Sequence, residues 1–559
     1  MATALAHTLP ADLDRLPPNT PYYLFAAALA VSAGVVMVLG TEITYFGDTW
    51  ATLMNRRELT LDALFEPHNE HINLMQVLLQ AALLPLFGMS SATPEFVVLT
   101  IFLLVIAVLL FVYVERRIGP WPALLATSIV LFLGPAWEVL LWPFEIGFAG
   151  SLLFGLAMLF ALERDSRRGD LIASGCLLAA LAFSSLGIPF IVAAATDILL
   201  KRRERGIWRR AAIFAVPVLL FGLWYLGWGS DAEGHLSLRN VLASPRFVAD
   251  LVAFGVAGMA GLGTSPYGGE PSPVWGYSLV IGLFVALGLR ARVGPFPKAF
   301  WVVGAAAAAN WFLTAANQFP GRGPISSRYV YATAIFVILL AANALIGVRW
   351  GQRALAAAAV ATLIALSVNV VVLKDGANYF RDQSVITKSD LAALEIARAT
   401  VQPDFQLGAE IAGTPSLVNV YAEKYFDAVD EHGSPAYTEA ELLEASEVGR
   451  RQADIVLSGA LPLFEETFAA PPTSAGPSCD AKQTAAPKAG IPLSPGVTRI
   501  ELDPGPPATL GLRRFATGEF PVPARELPGG STMLLRVPAD ASPRPWYLQV
   551  TAQQPFAVC

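Results

Sequence analysis

The sequence predicts a mainly α-helical, polytopic membrane protein, in which a bundle of about eleven transmembrane helices precedes a small α+β domain outside the membrane. Of the 559 residues, 55% are hydrophobic and only 15% are charged, whereas soluble proteins carry about 25% charged residues. The apolar residues gather in runs long enough to cross a bilayer. Charged residues return to ordinary density after Lys374, so the chain divides into a membrane part and a water-exposed part.

Eleven apolar runs are the predicted membrane spans, because a helix must be long enough to cross a hydrocarbon core of about 30 Å. They cover residues 22–41, 96–114, 121–140, 146–162, 171–183, 188–200, 211–228, 273–290, 299–316, 328–347 and 354–373. A further run, Asn73–Phe87, is the ambiguous case. No basic segment or small-residue cleavage site precedes the first run, so we expect it to remain as a helix.

The basic residues between the runs predict the orientation, since loops rich in Lys and Arg stay in the cytoplasm. Basic clusters occur at residues 116–117, 164–168, 201–210, 290–298 and 349–353. They predict a multi-pass protein of the plasma membrane with its N-terminus in the cytoplasm and its C-terminal domain on the extracytoplasmic side. Asn73–Phe87 is then expected to lie in the interface or to re-enter. The alternative is an ordinary span that puts Arg116 and Arg117 outside.

The membrane part is predicted to cover residues 1–375, and three parts follow it. Residues 376–464 show helical periodicity and charge, and Thr438 and Glu441 have the spacing of a capping box. Residues 465–495 are rich in Pro, Ala, Ser and Gly, a composition typical of a linker. Residues 496–559 alternate apolar and polar residues in short runs, which indicates a small β-rich unit.

Two aromatic residues and two cysteines of the C-terminal domain each have two interpretations. Trp546 and Tyr547 are expected in the core, with stacking on a sugar as the alternative. Cys479 and Cys559 form a disulfide if the domain faces an oxidising compartment, and otherwise remain free thiols. Cys176 lies in an apolar run and is expected to be a buried, small hydrophobic residue.

Composition and motifs exclude several classes of protein. The net charge of −6 argues against a nucleic-acid partner, which a basic protein would bind more readily. Neither a P-loop nor a dinucleotide-binding fingerprint occurs, so a soluble nucleotide site is not predicted. The cysteine and histidine spacings match no zinc motif.

Ionisable residues near the outer ends of spans are the best indicators of function in such a chain. The first outer loop contains Asp48, and its PHNEHIN stretch places His68 and His71 around a carboxylate. Imidazole groups move protons at neutral pH and bind phosphate when they are charged. The same loop has an amphipathic stretch with Trp50 and Leu53, which we expect to lie flat on the membrane.

A second outer turn, GPAWEVLLWPFEIGF, carries Glu138 and Glu145. The two acids are seven residues apart and would share one face of a continuous helix, but Pro143 is expected to break that helix. An interfacial aromatic belt is the alternative explanation of this segment, although it explains the aromatic residues better than the acids.

Two arginines, Arg322 and Arg328, lie on the predicted outer side, against the usual bias of such loops. Guanidinium groups bind phosphate oxygens in a bidentate manner. We therefore predict that both arginines bind a phosphate. The alternative is an ion pair with Glu138, Glu145 or Asp48.

A long outer segment, residues 229–272, is predicted to be a solvated loop. Its apolar part, Phe247–Leu262, is rich in Gly and Ala, and a re-entrant or interfacial helix is the alternative there.

The order of these features resembles the GT-C superfamily of polytopic membrane glycosyltransferases, most closely a bacterial, actinobacterial-like branch. The similarity covers roughly residues 20 to 375. It comprises the acidic first loop, the HNEH stretch, GPAWEVLLWPFEIGF, a Ser-Ser-Leu-Gly-Ile-Pro segment and a late Ser-Arg-Tyr. The resemblance implies transfer of a sugar from a polyprenyl-phosphate carrier to a glycan or lipid acceptor of the cell envelope, at the extracytoplasmic face.

The resemblance also implies roles for individual residues. Asp48 would be the catalytic base, with Glu42 as a less suitable substitute, and Glu138 or Glu145 would complete the catalytic site. The donor phosphate would be held by His68, His71, Arg322 and Arg328. The first loop lacks the adjacent acidic pair common in the superfamily, so the metal requirement is unknown and a divalent metal is left open as a cofactor.

Two other functions remain open on the sequence. One is a transporter or flippase for lipid-linked glycans, for which internal repeats and broken helices at the midplane are expected. The other is a non-catalytic protein of cell-envelope assembly. The predicted partners are a polyprenyl-linked sugar, its acceptor and membrane lipids.

Overall fold

The fold was analysed in a computed structural model of the chain. It describes residues 17–57, 59–232, 234–268, 274–407, 416–461, 463, 466–468, 482–485, 490–518, 520–521 and 525–559. The described residues form two compact units. The first unit comprises Met1–Thr41, Leu59–Leu83 and Thr93–Tyr379, and the second comprises Glu42–Glu58, Leu84–Ala92 and Phe380–Cys559.

Helices dominate the described chain. In order they are α1 (Thr20–Gly40), α2 (Asp48–Asn55), α3 (Leu61–Phe65), α4 (Leu74–Phe87), α5 (Thr93–Ile118), α6 (Pro120–Leu131), α7 (Trp137–Leu141), α8 (Ile146–Leu162), α9 (Arg167–Phe183), α10 (Ile188–Leu200), α11 (Arg202–Arg205), α12 (Ile207–Gly227), α13 (Leu238–Met259), α14 (Val274–Val293), α15 (Lys298–Ala316), α16 (Ser327–Ala344), α17 (Gln352–Ile396), α18 (Ala422–His432), α19 (Glu439–Glu444) and α20 (Glu447–Ala460). Short 3-10 turns cover Gly134–Ala136, Pro143–Glu145, Ser185–Gly187 and Gly229–Asp231.

The first unit is an apolar helical bundle, which confirms the predicted class of fold. Among the described residues, 9 helices are long and apolar enough to cross a membrane, or up to 10 if the bent pair of α6 and the segment Gly134–Leu141 is one span. That pair bends by 50°. The bend lies at Gly134, where a side chain would meet the carbonyl oxygen of Asn369 at 2.1 Å, so the close approach of two helices requires glycine there.

Two of the predicted spans, 171–183 and 188–200, correspond to α9 and α10, which are 17 and 13 residues long. The ambiguous run, Asn73–Phe87, forms α4 with 14 residues. At 1.5 Å per residue, a helix of that length extends about 21 Å, which is short of a full hydrocarbon core.

The prediction of a solvated loop over residues 229–272 was wrong. α13 occupies 22 residues of it and is apolar enough to meet the criteria for a span. Ser237 caps its first turn by accepting a hydrogen bond from the backbone of Asn240, a local signal that the predicted loop did not take into account.

The second unit combines helices with β-structure. Its strands are β1 (Gln406–Leu407), β2 (Val420–Tyr421), β3 (Glu466–Phe468), β4 (Lys482–Gln483), β5 (Ile491–Leu493), β6 (Gly496–Leu502), β7 (Ala508–Arg513), β8 (Arg525–Leu527), β9 (Thr532–Val537), β10 (Trp546–Thr551) and β11 (Phe556–Val558). Two antiparallel sheets have the orders β5-β10-β7-β8 and β3-β9-β6-β11-β4, and β1 pairs with β2. The segment predicted as a linker therefore supplies three strands, β3, β4 and β5.

Details of the second unit support several expectations and correct one. Thr438 and Glu441 form the predicted capping box, and Trp546 is buried at 1% exposure in the core. Cys559 is disulfide-bonded, and Cys479 lies outside the described residues. Trp50 and Leu53, expected on the membrane surface, are instead buried within this unit, where Trp50 contacts Tyr45 and Tyr425. The apolar face of α2 is thus satisfied by protein rather than by lipid.

Candidate functional site

A tight turn between α3 and α4 carries the two predicted histidines. His68 and His71 exchange backbone hydrogen bonds of 2.9 and 3.0 Å. Between them Asn69 adopts a φ of 50°, in the left-handed region that Asn tolerates better than most residues. The turn brings both imidazoles to the same end of a two-residue loop, which spacing alone could not predict.

Glu70, inside the same turn, binds Arg322. Arg322 Nη1 donates to Glu70 Oε1 at 2.5 Å, and His71 Nε2 lies 3.5 Å from the same oxygen. The backbone carbonyl of Glu70 accepts a hydrogen bond from Ser185 Oγ at 2.7 Å. Glu70 Oε2 is buried and has no hydrogen-bond partner among the described residues. Arg322 therefore holds the carboxylate of Glu70 and Ser185 holds its backbone, while one carboxylate oxygen is unsatisfied.

Burial and charge determine the protonation of these two groups. Burial is the largest cause that lowers the pKa of His71, and the charges of Arg322, His68 and Arg328 also lower it. Glu70 opposes them, and the net pKa is about 4. His71 is therefore neutral at pH 7. Burial raises the pKa of Glu70, but the pull of His71 and the bond from Arg322 outweigh it, so the net pKa is lowered. Since His71 is neutral at pH 7, we attribute the ionised state of Glu70 there chiefly to Arg322.

Glu138 and Arg328 form a second pair between the start of α7 and the start of α16. Glu138 Oε2 accepts from Arg328 Nε at 3.2 Å and from the Arg328 backbone N–H at 3.1 Å. In return, the backbone N–H of Glu138 donates to Ser327 Oγ at 3.0 Å. The ion pair that was the alternative for Arg328 is thus present, with Glu138 as the partner. Both side chains remain partly exposed, at 25% for Arg328 and 18% for Glu138.

Aromatic contacts connect the two pairs. The Arg328 guanidinium lies 5.8 Å from the Trp142 ring, Trp142 stacks on Phe144 at 5.2 Å, and Phe144 meets His68 edge-on at 5.2 Å. Arg322 and Arg328 both influence His71 electrostatically. We call Glu70, His71, Glu138, Arg322 and Arg328 the arginine–carboxylate cluster.

Glu145 and Asp48 have different surroundings. Glu145 closes the 3-10 turn Pro143–Glu145 and is buried at 3% exposure. Tyr329, the neighbour of Arg328, lies within electrostatic range of Glu145. Asp48 belongs to the second unit, where it begins α2 directly after Gly47, whose φ is 53°. A carboxylate in the first turn of a helix is stabilised by the helix dipole.

Several members of the site were missed as site residues. Glu70 was noticed only as part of a histidine-rich stretch. Ser184, whose Oγ lies 3.3 Å from His71 Nδ1, and Ser185 carry no charge that a sequence pattern would reveal. His235 lies against Phe319 at 4.1 Å, and the Arg322 guanidinium lies 4.5 Å from the same ring. Only the tertiary fold brings these groups together.

A metal site is not apparent in the described part of the chain, since no group of three or more His, Cys, Asp or Glu side chains there is arranged to hold an ion. Glu70 and His71 provide two adjacent donors.

Comparison with known proteins finds similarity in structure only. No protein-family model and no curated protein matches the chain. The solved structure of ArnT from Cupriavidus metallidurans bound to undecaprenyl phosphate matches with a TM-score of 0.44 and 16% identity, over 70% of this chain and 82% of that one. The structure of the same ArnT in the apo state matches with a TM-score of 0.42 and 14% identity, over 75% of this chain and 90% of that one. These TM-scores and identities are too low to transfer a function, so the proposed function rests on the residues of this chain.

Proposed function

We propose that the protein is a membrane glycosyltransferase, which moves a sugar from a polyprenyl-phosphate donor to a glycan or lipid acceptor of the cell envelope at the extracytoplasmic face. The observation that carries the proposal is the arginine–carboxylate cluster, in which two arginines from one loop region meet carboxylates from two others. Two guanidinium groups that both lie within electrostatic range of His71 suit an anionic phosphate better than they suit a neutral sugar.

The phosphate is the leaving group of the proposed reaction. The bond between the anomeric carbon and the phosphate oxygen breaks, and its electron pair leaves with the phosphate. An acceptor hydroxyl oxygen bonds to that carbon, and its proton passes to Asp48, the proposed base. Arg322 and Arg328 stabilise the charge that develops on the phosphate.

The carboxylates of the cluster orient the arginines. Glu70 and Glu138 each hold one guanidinium, so that little side-chain entropy is lost when a phosphate binds. Neutral His71 offers one N–H donor without adding charge, and we propose that His68 and His71 line the phosphate. Glu145, buried close to Tyr329, is proposed as a second acid of the site.

The orientation of the chain is part of the proposal. From the basic loops we propose that the protein lies in the plasma membrane with its N-terminus in the cytoplasm. The disulfide at Cys559 supports an oxidising compartment for the C-terminal domain. Residues 116–117 precede α6 and Glu138 follows it, whereas Arg328 begins α16 and residues 349–353 follow that helix. The cluster and the basic residues therefore lie at opposite ends of α6 and α16, which is consistent with an extracytoplasmic site.

Transfer of labelled sugar from a synthetic polyprenyl-phosphate donor in proteoliposomes tests the function. Asp48→Asn is expected to reduce transfer at least about hundredfold, because the acceptor proton then has no base. Glu431→Gln is the matched control, since Glu431 belongs to the same unit, has no proposed role in transfer and is 64% exposed. Equal transfer by the Asp48→Asn variant and the native protein would eliminate Asp48 as the base, and no transfer by the native protein with any acceptor would contradict the function.

A flippase retains one specific observation in its favour, the broken pair of α6 and Gly134–Leu141. Movement of a fluorescent polyprenyl phosphate across the same proteoliposomes distinguishes the two functions. The transferase leaves the rate of flipping at that of empty vesicles.

A further inference from the structure

Both ends of helix α13 lie away from the basic end of the first unit, which is the end that carries the basic residues 116–117 and 349–353. At its start, Asn240 Nδ2 donates to the carbonyl of Gln318 at 2.9 Å, just after α15. At its end, the carbonyl of Gly258 accepts from Asn369 Nδ2 at 3.2 Å. Asn369 lies about 25 Å along α17 from Gln352, at 1.5 Å per residue. α13 therefore ends far above the residues at which α17 begins.

Helix α14, which follows, contacts the bundle at one end. Gly276, near its start, packs so closely on Ala253 of α13 that a side chain would come within 2.2 Å of the Ala253 carbonyl oxygen. Gly276 is also the one buried residue of α14. Further along, Phe284 and Leu289 are more than half exposed. The second half of α14 thus stands apart from the helices of the bundle.

A cavity of about 650 Å³ lies between the end of α13, the separated half of α14 and the neighbouring helices. Its lining comes from α5, α6, α13, α14, α16 and α17 and is apolar almost throughout, as in Ile118, Leu125, Met259, Leu283, Leu345 and Ala358. Along α17 the lining extends from Leu355 to Ala365. That distance is about 15 Å, half of a hydrocarbon core of about 30 Å and therefore the depth of one leaflet.

Polar groups occur where the cavity reaches the basic end. Trp350 lines the cavity, and its indole nitrogen is buried without a hydrogen-bond partner among the described residues. Arg349 and Arg353 flank it in the sequence and are exposed, and no ion pair of theirs occurs in the part of the chain described. An unsatisfied indole beside two arginines is an arrangement that a lipid head group would complete.

We propose that this cavity binds an anionic diacyl phospholipid of the leaflet on the basic side. One acyl chain fills the apolar space, because an empty cavity would deprive its lining of dispersion contacts. The Trp350 indole N–H donates to an oxygen of the glycerol ester or phosphate, since tryptophan favours the membrane interface. Arg349 and Arg353 bind the phosphate. This lipid is a resident of the fold, and its binding does not depend on the proposed reaction.

The proposal is tested on the full-length protein by native mass spectrometry after reconstitution in nanodiscs of equal parts dioleoyl phosphatidylglycerol and dioleoyl phosphatidylcholine. We expect one retained phosphatidylglycerol per chain, with about tenfold or greater preference over phosphatidylcholine. Equal retention of the two lipids would overturn the charge argument. Retention of neither lipid would overturn the choice of a diacyl phospholipid as the ligand.

Variants locate the lipid. Ala361→Phe fills the cavity and should abolish retention of the lipid. Leu363, which is 65% exposed on another face of the same helix, is the control, and Leu363→Phe should not change retention. Arg349→Gln with Arg353→Gln should lower retention about tenfold, and Arg167→Gln with Arg168→Gln removes equal charge from another exposed basic loop as the control. Trp350→Phe keeps the ring and should lower retention severalfold. Unchanged retention in folded Ala361→Phe would disprove the site.

Discussion

Two clusters of charged residues in the first unit differ in how completely their members are paired. The buried cluster consists of Asp170, Asp197, Lys201, Arg205 and Arg210, from α9, α10, α11, α12 and the α10–α11 junction. Arg210 is 1% exposed and bonds Asp170 at 3.1 Å and Asp197 at 2.6 Å. Arg205 bonds the other oxygen of Asp170 at 2.8 Å, and Lys201 bonds the other oxygen of Asp197 at 2.9 Å. Each carboxylate oxygen of Asp170 and Asp197 is therefore paired with a cationic side chain.

The arginine–carboxylate cluster is incomplete by comparison. The side chain of Arg322 makes one hydrogen bond among the described residues, although its guanidinium group has five N–H donors. Glu70 retains a buried oxygen without a hydrogen-bond partner there. A saturated cluster stabilises the fold and has no capacity for a ligand, whereas an incomplete one keeps donors available. The difference assigns a structural role to the first cluster and a binding role to the second.

The largest expected effect is on folding, from Arg210→Leu. The change leaves Asp170 and Asp197 buried without their shared cation, which costs about 3–5 kcal/mol of stability. Thermal unfolding in detergent measures the loss. Arg203→Leu, at an exposed position of the same segment, should change stability by no more than about 0.5 kcal/mol. Comparable stability of both variants would break the distinction between the clusters.

The next effect is on activity, from Arg322→Lys. Lysine keeps the charge but loses the planar fork that binds two phosphate oxygens, so transfer should fall about a hundredfold or more. The unfolding temperature should stay nearly constant, since lysine keeps a positive charge beside Glu70. A variant with full activity would show that Arg322 does not touch the phosphate.

A smaller effect concerns pH and His71. Its pKa in the folded chain is about 4, below the ordinary value of about 6.5. Between these values the unfolded chain binds more protons, so His71 lowers stability as the pH falls from about 6.5 to 4. His71→Gln should flatten the dependence of the unfolding temperature on pH across this window. An identical pH profile in the variant would show that His71 titrates normally.

The smallest effect is on affinity, from Glu70→Gln. The carboxylate orients Arg322 for the phosphate, and a partly exposed pair contributes about 1 kcal/mol or less. Binding of polyprenyl phosphate should therefore weaken by no more than about fivefold, whereas Glu66→Gln in the same loop should leave it unchanged. Tighter binding in Glu70→Gln would show that Glu70 competes with the phosphate for Arg322 and would contradict its orienting role.

The sequence was sufficient to predict the class of fold because a membrane helix can be recognised from the length of its apolar run. It was insufficient where a helix has a polar half or where either lipid or protein could cover its apolar face. α13 looked like a loop because its first half is polar and interrupted by Pro245, and α2 looked like a membrane-surface helix because its apolar face could be buried by lipid or by protein.

The charged residues show the same limit. Arg322 and Arg328 were recognisable because they oppose the charge bias of outer loops. Their partners Glu70 and Glu138 are 252 and 190 residues away in the chain, and no local pattern specifies such pairs. The buried cluster was likewise noticed only as basic segments, at residues 164–168 and 201–210, because its acids Asp170 and Asp197 lie in the neighbouring helices.

Binding of polyprenyl phosphate to the double variant Arg322→Gln, Arg328→Gln tests the binding role of the arginine–carboxylate cluster most directly. Tryptophan fluorescence or native mass spectrometry in nanodiscs gives the dissociation constant, with the exposed pair Arg202→Gln, Arg203→Gln as the control for charge. Loss of two charge-assisted contacts predicts affinity at least about a hundredfold weaker, with the unfolding temperature retained. Unaltered affinity in a folded double variant would contradict the assignment.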